Sequence, residues 1–401
     1  MTFINTLRQD WPQVCPHTRQ GTHTMINRQR VIDEFTRQAS IDSPSFKEAA
    51  IAKYLEQRFK ELGAEIEFDD AGTKIGSDSG NMIARVPGSK PGKPLILSAH
   101  MDTVTPADNV EPVLKDGIFT SAGETILGGD DKSGIVEIIE ALEVLQEQQI
   151  PYVPLEIVIS ICEEQGLLGA KQLDFSKFEA KHGIALDTRG VDIVINRAPA
   201  ANRFKIDIFG HEAHAGVCPE QGISAIQIAS RAINRMNLGR IDAETTANIG
   251  TIHGGLASNI IPSQLSLRGE VRSHNVDKLR EQTELIIGIV EEEVNKATII
   301  IGDETKSASM SLELKEDFSP MLVAEDAQIL QIIQEAGTAL GRPQKIQAAG
   351  GGSDANIFNG HGIEMVIMAT GMEKVHTINE QIAVDDMVKA SELLVEVIRR
   401  A

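Results

Sequence analysis

A chain of 401 residues with 38 Lys+Arg against 58 Asp+Glu carries a formal charge of −20, which argues against nucleic acid or anionic membrane as partners, since both demand a basic footprint. Hydrophobic residues at 41% and charged residues at 24% exclude wholesale disorder and leave room for two domains or one elaborated domain. No apolar stretch approaches the roughly 18 residues of a membrane span, and Cys15, Cys162 and Cys218 are too scattered for a disulfide framework or a cysteine zinc site, so a reducing, cytoplasmic setting is expected.

Residues 1–24 hold the only tryptophan, Trp11, and show neither helical nor strand period, so they read as a disordered tail without the apolar core of a secretory signal. From Met25 the pattern becomes regular. Ile32, Phe35 and Ile41 predict a first helix. Ser45-Phe-Lys-Glu48 reads as a capping box opening a helix that Gly63 ends. Apolar runs at 82–86, 95–99, 155–161, 184–186 and 365–369 predict strands, and Ile135, Ile138, Ile139, Leu142 and Leu145 form one face of a helix over 131–148. Apolar strands separated by helices indicate an α/β fold, a mixed, largely parallel sheet with helices on both faces. Near Ala200 the order changes. Strand 204–210, helix 223–236, strands 247–253 and 265–272, helix 276–296 and strand 297–301 spell β-α-β-β-α-β, the order of a ferredoxin-like unit. Helices 325–340 and 385–399 resume the first pattern. Residues 200–311 therefore read as an insertion that splits a larger domain into 25–199 and 312–401.

Chemistry-bearing residues collect where strands end. His100-x-Asp102 ends strand 95–99, and in extended chain residues i and i+2 share a side, so the carboxylate can orient a metal-binding imidazole. Gly128-Gly-Asp-Asp-Lys-Ser-Gly134 opens a helix. It fails as a phosphate loop, because Asp131 stands where that motif needs glycine. A metal-ligating Asp130 or Asp131 fits better, with an acidic helix cap as the structural alternative. Glu163 and Glu164 end strand 155–161, where uncompensated carboxylates are unfavourable; adjacent side chains diverge, so one can hold a metal while the other acts as general base. Asp187 ends strand 184–186, and His376 follows strand 365–369 across a turn at Gly371. Two histidines and three carboxylates without cysteine suit a pair of divalent ions such as zinc. Two such ions would bring four positive charges against three from Asp130, Glu164 and Asp187, leaving one for a hydroxide: a hydrolase centre.

The segments SAHMDTV, GGDDKSG, CEEQGLLGA, ALDT, GHEAHAG, SNIIPS, GGGSDAN and VHTINE, in this order, resemble the M20 family of co-catalytic zinc metallopeptidases and its peptidase T-like branch. The resemblance runs from about Met25 to the C-terminus. It implies His100 and Asp187 on one zinc, Glu164 and His376 on the other, and Asp130 bridging them, with Asp131 the alternative bridge. Glu163 would be the general base and Asp102 the residue orienting His100. His214 would reach the substrate carbonyl from the partner subunit of a homodimer formed through the inserted dimerisation or lid domain. Asn259, Arg272 and the glycines around Gly351 would hold substrate. The implied function is a di-zinc exopeptidase releasing the N-terminal residue of tripeptides, with cobalt or manganese as possible substitutes. Dipeptidase, carboxypeptidase and N-acyl amino acid deacylase activities are the alternatives within the same architecture.

Overall fold

The computed structural model describes residues 26–401, so the expected tail at 1–24 lies outside the described residues. Four adjacent parallel strands form the middle of a nine-stranded mixed sheet: Leu155–Ser160, Leu95–His100, His182–Thr188 and Glu364–Ala369. Antiparallel strands extend it on both sides. Glu65–Phe68 and Met82–Val86 lie beyond Leu155–Ser160, and Ile193–Ala198 pairs with Glu364–Ala369.

Strand parity divides the core. Leu95, Leu97 and Ala99 pack with Ile135, Ile139 and Leu142 of the helix Gly129–Glu147 and with the helices Gln328–Ala339 and Val384–Arg400. Ile96, Val158 and Met365 face the other way, onto Phe178 and Phe358 of the short helix Asp354–Gly360. Burial on both faces explains why these strands are unbroken apolar runs. The same parity puts His100 and Ser160 on the Asp354 side, and the Ser160 hydroxyl hydrogen-bonds Asp354 Oδ2.

A second sheet has the strand order Ser309–Phe318, Ala200–Phe209, Gln264–Ser273, Thr245–Gly254, all antiparallel, with Gly239–Arg240 beyond. Helices Ala225–Arg235 and Val276–Asn295 close a separate core over it, which is the ferredoxin-like arrangement. Its last strand differs from the expectation. Thr298–Ile301 forms only a hairpin with Glu304–Ser307, and Ser309–Phe318 takes the sheet edge, crossing the boundary expected at 311. In 309–318 Met310, Leu312 and Leu314 alternate with Ser309, Ser311, Glu313 and Lys315, so the segment lacks the unbroken apolar run of a strand buried on both faces. No helix of the described residues is long and apolar enough to cross a membrane.

Candidate active site

The parallel strands present their C-terminal ends to one cleft, where open α/β sheets place ligands. His100 is buried at the end of its strand. Its Nε2 lies 3.1 Å from Asp130 Oδ1 and 4.0 Å from Asp187 Oδ1. His376 Nε2 lies 3.1 Å from the other oxygen of Asp130, Oδ2, and 2.8 Å from Glu164 Oε1. One carboxylate thus stands between two imidazoles, each with a further carboxylate of its own.

The chain turns to achieve this. Gly128, at φ +78°, leads into the helix Gly129–Glu147, whose backbone is non-helical at Asp130 and Asp131. Asp130 consequently faces the cleft. Asp131 turns inward, where its Oδ2 accepts the His100 backbone N–H at 3.2 Å, and it does not line the cleft. Of the two aspartates, Asp130 is the one that stands 3.1 Å from both imidazoles.

Asp102 is fully buried and serves more than His100. Its Oδ1 accepts the Glu163 N–H at 2.8 Å, and its Oδ2 accepts the Ser45 hydroxyl at 2.7 Å and the Glu164 N–H at 3.3 Å. His100 Nδ1 lies nearer to the Asp102 carbonyl, at 2.9 Å, than to its carboxylate, at 3.5 Å. Ser45 therefore does not cap a helix. Glu48 occupies the cap position of Ala49–Glu61 without a side-chain cap bond, and its carboxylate instead accepts from the N–H and the Sγ–H of Cys162, both at 3.1 Å. Cys162 is correspondingly a buried, hydrogen-bonded thiol.

Electrostatics show what the cluster lacks. Burial disfavours the charged form of His100, yet Asp102 and Asp130 outweigh it and raise its pKa well above the ordinary histidine value. Hydrogen bonds to Asp130 and Glu164 push His376 up to about 10. Burial opposes ionisation of Asp130, but His100 and His376 hold it below the usual carboxylate range. Burial first, and the neighbouring carboxylates after it, push Glu163 and Asp187 well above that range. Four carboxylates crowd two imidazoles, and the buried Glu164 Oε1 has only the His376 imidazole close to it. Ligand atoms of His100, Asp130 and Glu164 lie within 4.8 Å of one another, as do those of His100, Asp131 and Asp187. A hard-to-borderline cation bound by oxygen and imidazole nitrogen fits this donor set.

The cleft, about 420 Å³, is lined by Asp130, Glu163, Glu164, Asp187 and His376 on one side and by Arg189 and Gly350, Gly351 and Gly352 on the other. Gly351 backs onto Arg272: a Cβ there would stand 3.5 Å from Arg272 Nη1, whose guanidinium is paired with Glu270. His214 and Asn259 are exposed, sit side by side on the pairing of Ala213–His214 with Ile260–Ile261, and do not line this cleft. A larger groove, about 750 Å³, runs between the helix Val276–Asn295 and the end of Asp354–Gly360, but neither ligand-type cluster found among the described residues lies there.

Three residues at the site were missed by sequence reasoning. Asp354, inside GGGSDAN, lies buried beneath the cleft, with a pKa that burial raises to about 6. Glu380, inside VHTINE, and Glu48 are buried carboxylates that accept backbone N–H groups of site loops. The only available signal was an acidic residue inside a segment already notable for other residues.

Residues 96–400 match the model of peptidase family M20/M25/M40. The chain is 40% identical to the uncharacterized protein YqjE of Bacillus subtilis, over 94% of this chain and 100% of that one. Among solved structures it is similar to aminopeptidase PepT from Bacillus cereus, at 39% identity and TM-score 0.85, covering 94% of this chain and 99% of that one. It is similar also to a tripeptidase from Staphylococcus aureus, at 35% identity and TM-score 0.88, covering 94% and 98%.

Proposed function

The chain belongs to peptidase family M20/M25/M40 and is peptidase T-like, and from that premise we propose that this peptide hydrolase is a di-zinc exopeptidase that releases the N-terminal residue of tripeptides. The observation that carries this is Asp130, whose two oxygens each stand 3.1 Å from a different histidine. His100 and Asp187 would hold one ion, His376 and Glu164 the other, and Asp130 both. Such ions, when bound, polarise a peptide carbonyl and acidify water.

The protein's own groups do the rest. Glu163 lines the cleft without serving as a ligand, and burial keeps its carboxylate more basic than usual. It takes a proton from the attacking water and returns it to the departing amine. Asp102 fixes the backbone of both Glu163 and Glu164. The glycines at 350–352 let a peptide backbone approach closely, and Arg272 behind Gly351 offers a guanidinium for the far end of a short substrate.

His214 and Asn259 belong to the same proposal through a homodimer. The strand Gly239–Arg240 pairs only with Thr246 and Ala247, leaving the rest of Thr245–Gly254 as an outer edge. Ile252 and, just beyond it, Leu256 are 52% and 82% exposed. Joining two such edges removes an aggregation hazard and gives a two-fold assembly, in which the partner's His214 donates to the developing oxyanion. A panel of tripeptides, dipeptides and N-acyl amino acids, incubated with Zn²⁺ or Co²⁺, tests the activity. Release of the N-terminal residue from tripeptides, abolished by a chelator, is expected. Hydrolysis confined to C-terminal bonds or to N-acyl amino acids would contradict it.

A further inference from the structure

Glu380 follows His376 by four residues, in the loop between Glu364–Ala369 and the helix Val384–Arg400. It is a buried carboxylate, 2% exposed, that forms no ion pair among the described residues. Three backbone N–H groups of one distant turn converge on it instead. Oε2 accepts Leu127 N–H at 2.8 Å and Gly128 N–H at 2.9 Å, and Oε1 accepts Asp130 N–H at 2.9 Å. A carboxylate accepting several backbone N–H groups makes charge-assisted bonds, about twice as strong as neutral ones. Burying one at this depth costs free energy that only such bonds offset.

The placement is specific. The turn that Glu380 holds is the one whose left-handed Gly128 brings Asp130 into the cleft, and the loop that supplies Glu380 is the one that supplies His376. Gly129 completes the fit, since a Cβ there would stand 3.1 Å from Glu380 Oε1. We infer that Glu380 is a positioning residue that locks the Asp130 turn to the His376 loop, setting the separation of the shared carboxylate from its second imidazole. It touches neither substrate nor reacting atoms. The inference rests on reading Asp130 as a metal ligand.

Gln is isosteric with Glu but cannot accept on both ends. In Glu380→Gln the amide nitrogen must oppose at least one of the three N–H groups, while packing is unchanged. Equilibrium dialysis of Zn²⁺ or Co²⁺ against chelator-stripped full-length protein reads the effect without activity. Wild type is titrated first: failure to bind any divalent ion would remove the metal reading itself. With wild type binding, Glu380→Gln is expected to weaken metal affinity roughly 10–100-fold, the usual loss for a residue that orients ligands. Turnover should recover as metal is raised, which a merely misfolded enzyme would not show. Metal affinity within twofold of wild type, or lost turnover that excess metal fails to restore, would overturn the inference. Should Glu380→Gln not fold, Gly129→Ala, which crowds the same carboxylate from within the turn it holds, is measured in the same way with the same expected result and the same grounds for rejection.

Discussion

Glu48 is fully buried and accepts four hydrogen bonds, from the N–H of Phe46, the Ser77 hydroxyl and both the N–H and thiol of Cys162. It thereby fixes the residue immediately before Glu163. Glu48→Gln keeps an acceptor for Cys162 and can donate to Ser77, so it should retain near-wild-type turnover. Glu48→Ala orphans two backbone donors at about 1–3 kcal/mol each, and should lower both the denaturation midpoint and kcat while leaving KM close to wild type. An Ala variant equal to wild type in chemical denaturation and kcat would remove Glu48 from the site's support. His100, Glu164 and Asp187 stood out in the sequence because they end apolar strands, where a charged side chain needs a reason, and Asp130 and His376 because they sit in a glycine-led helix start and a post-strand turn. Glu48 and Glu380 did not, because the partners that tie them to the site lie 114 and 250 or more residues away and a buried carboxylate facing backbone donors leaves no local pattern. Ser45-x-x-Glu48 shows the same limit: its spacing is that of a capping box, but tertiary partners on Asp102 and Cys162 compete for both side chains and win.

Gly134 lies where the helix Gly129–Glu147 crosses the strand that carries Asp187. An added Cβ would meet the Leu186 carbonyl, and would stand 2.9 Å from Leu186 Cβ and 2.7 Å from Asp131 Oδ1. Gly134→Ala raises helix propensity, yet backbone on the opposing strand cannot give way as a flexible side chain would. Overpacking should win, with a loss of about 1–3 kcal/mol visible in urea denaturation and a shift of Asp187 that lowers metal affinity. An Ala variant at least as stable as wild type would show that the helix can move away freely. Elements with a strong apolar signal were read closely: the buried strand 82–86 matches Met82–Val86, and the amphipathic helix 276–296 matches Val276–Asn295 within a residue. Those missed, such as Ser309–Phe318 and Glu65–Phe68, are edge or near-edge strands whose residues are largely exposed or only partly buried. Each alternates apolar with polar residues over a short span and offers no continuous apolar run.

Across the whole molecule, two charge effects and one assembly are open to measurement. Burial pushes His182 and His274 below the ordinary histidine pKa, so the folded state resists their protonation while the unfolded chain does not. Their contribution to stability is present above pH 6.5 and is lost as pH falls through the depressed folded values. The double variant His182→Gln/His274→Gln should therefore lose less stability than wild type between pH 7.5 and 5.5; an unchanged slope would exclude both residues. In the proposed homodimer, His214→Ala and Glu163→Gln should each be nearly inactive alone. Subunit exchange should restore roughly a quarter of wild-type activity, since half the dimers are mixed and each has one intact site. No recovery from a mixture shown to exchange would place His214 in its own chain or outside the reaction. The central claim, that this cleft is a metal-assisted hydrolytic centre with Glu163 as its base, is tested most directly by Glu163→Gln, assayed for bound metal and for tripeptide turnover in the same preparation. The account predicts two ions per chain, as in wild type, with kcat reduced roughly 10²–10⁴-fold; turnover above about a tenth of wild type, with metal retained, would contradict it.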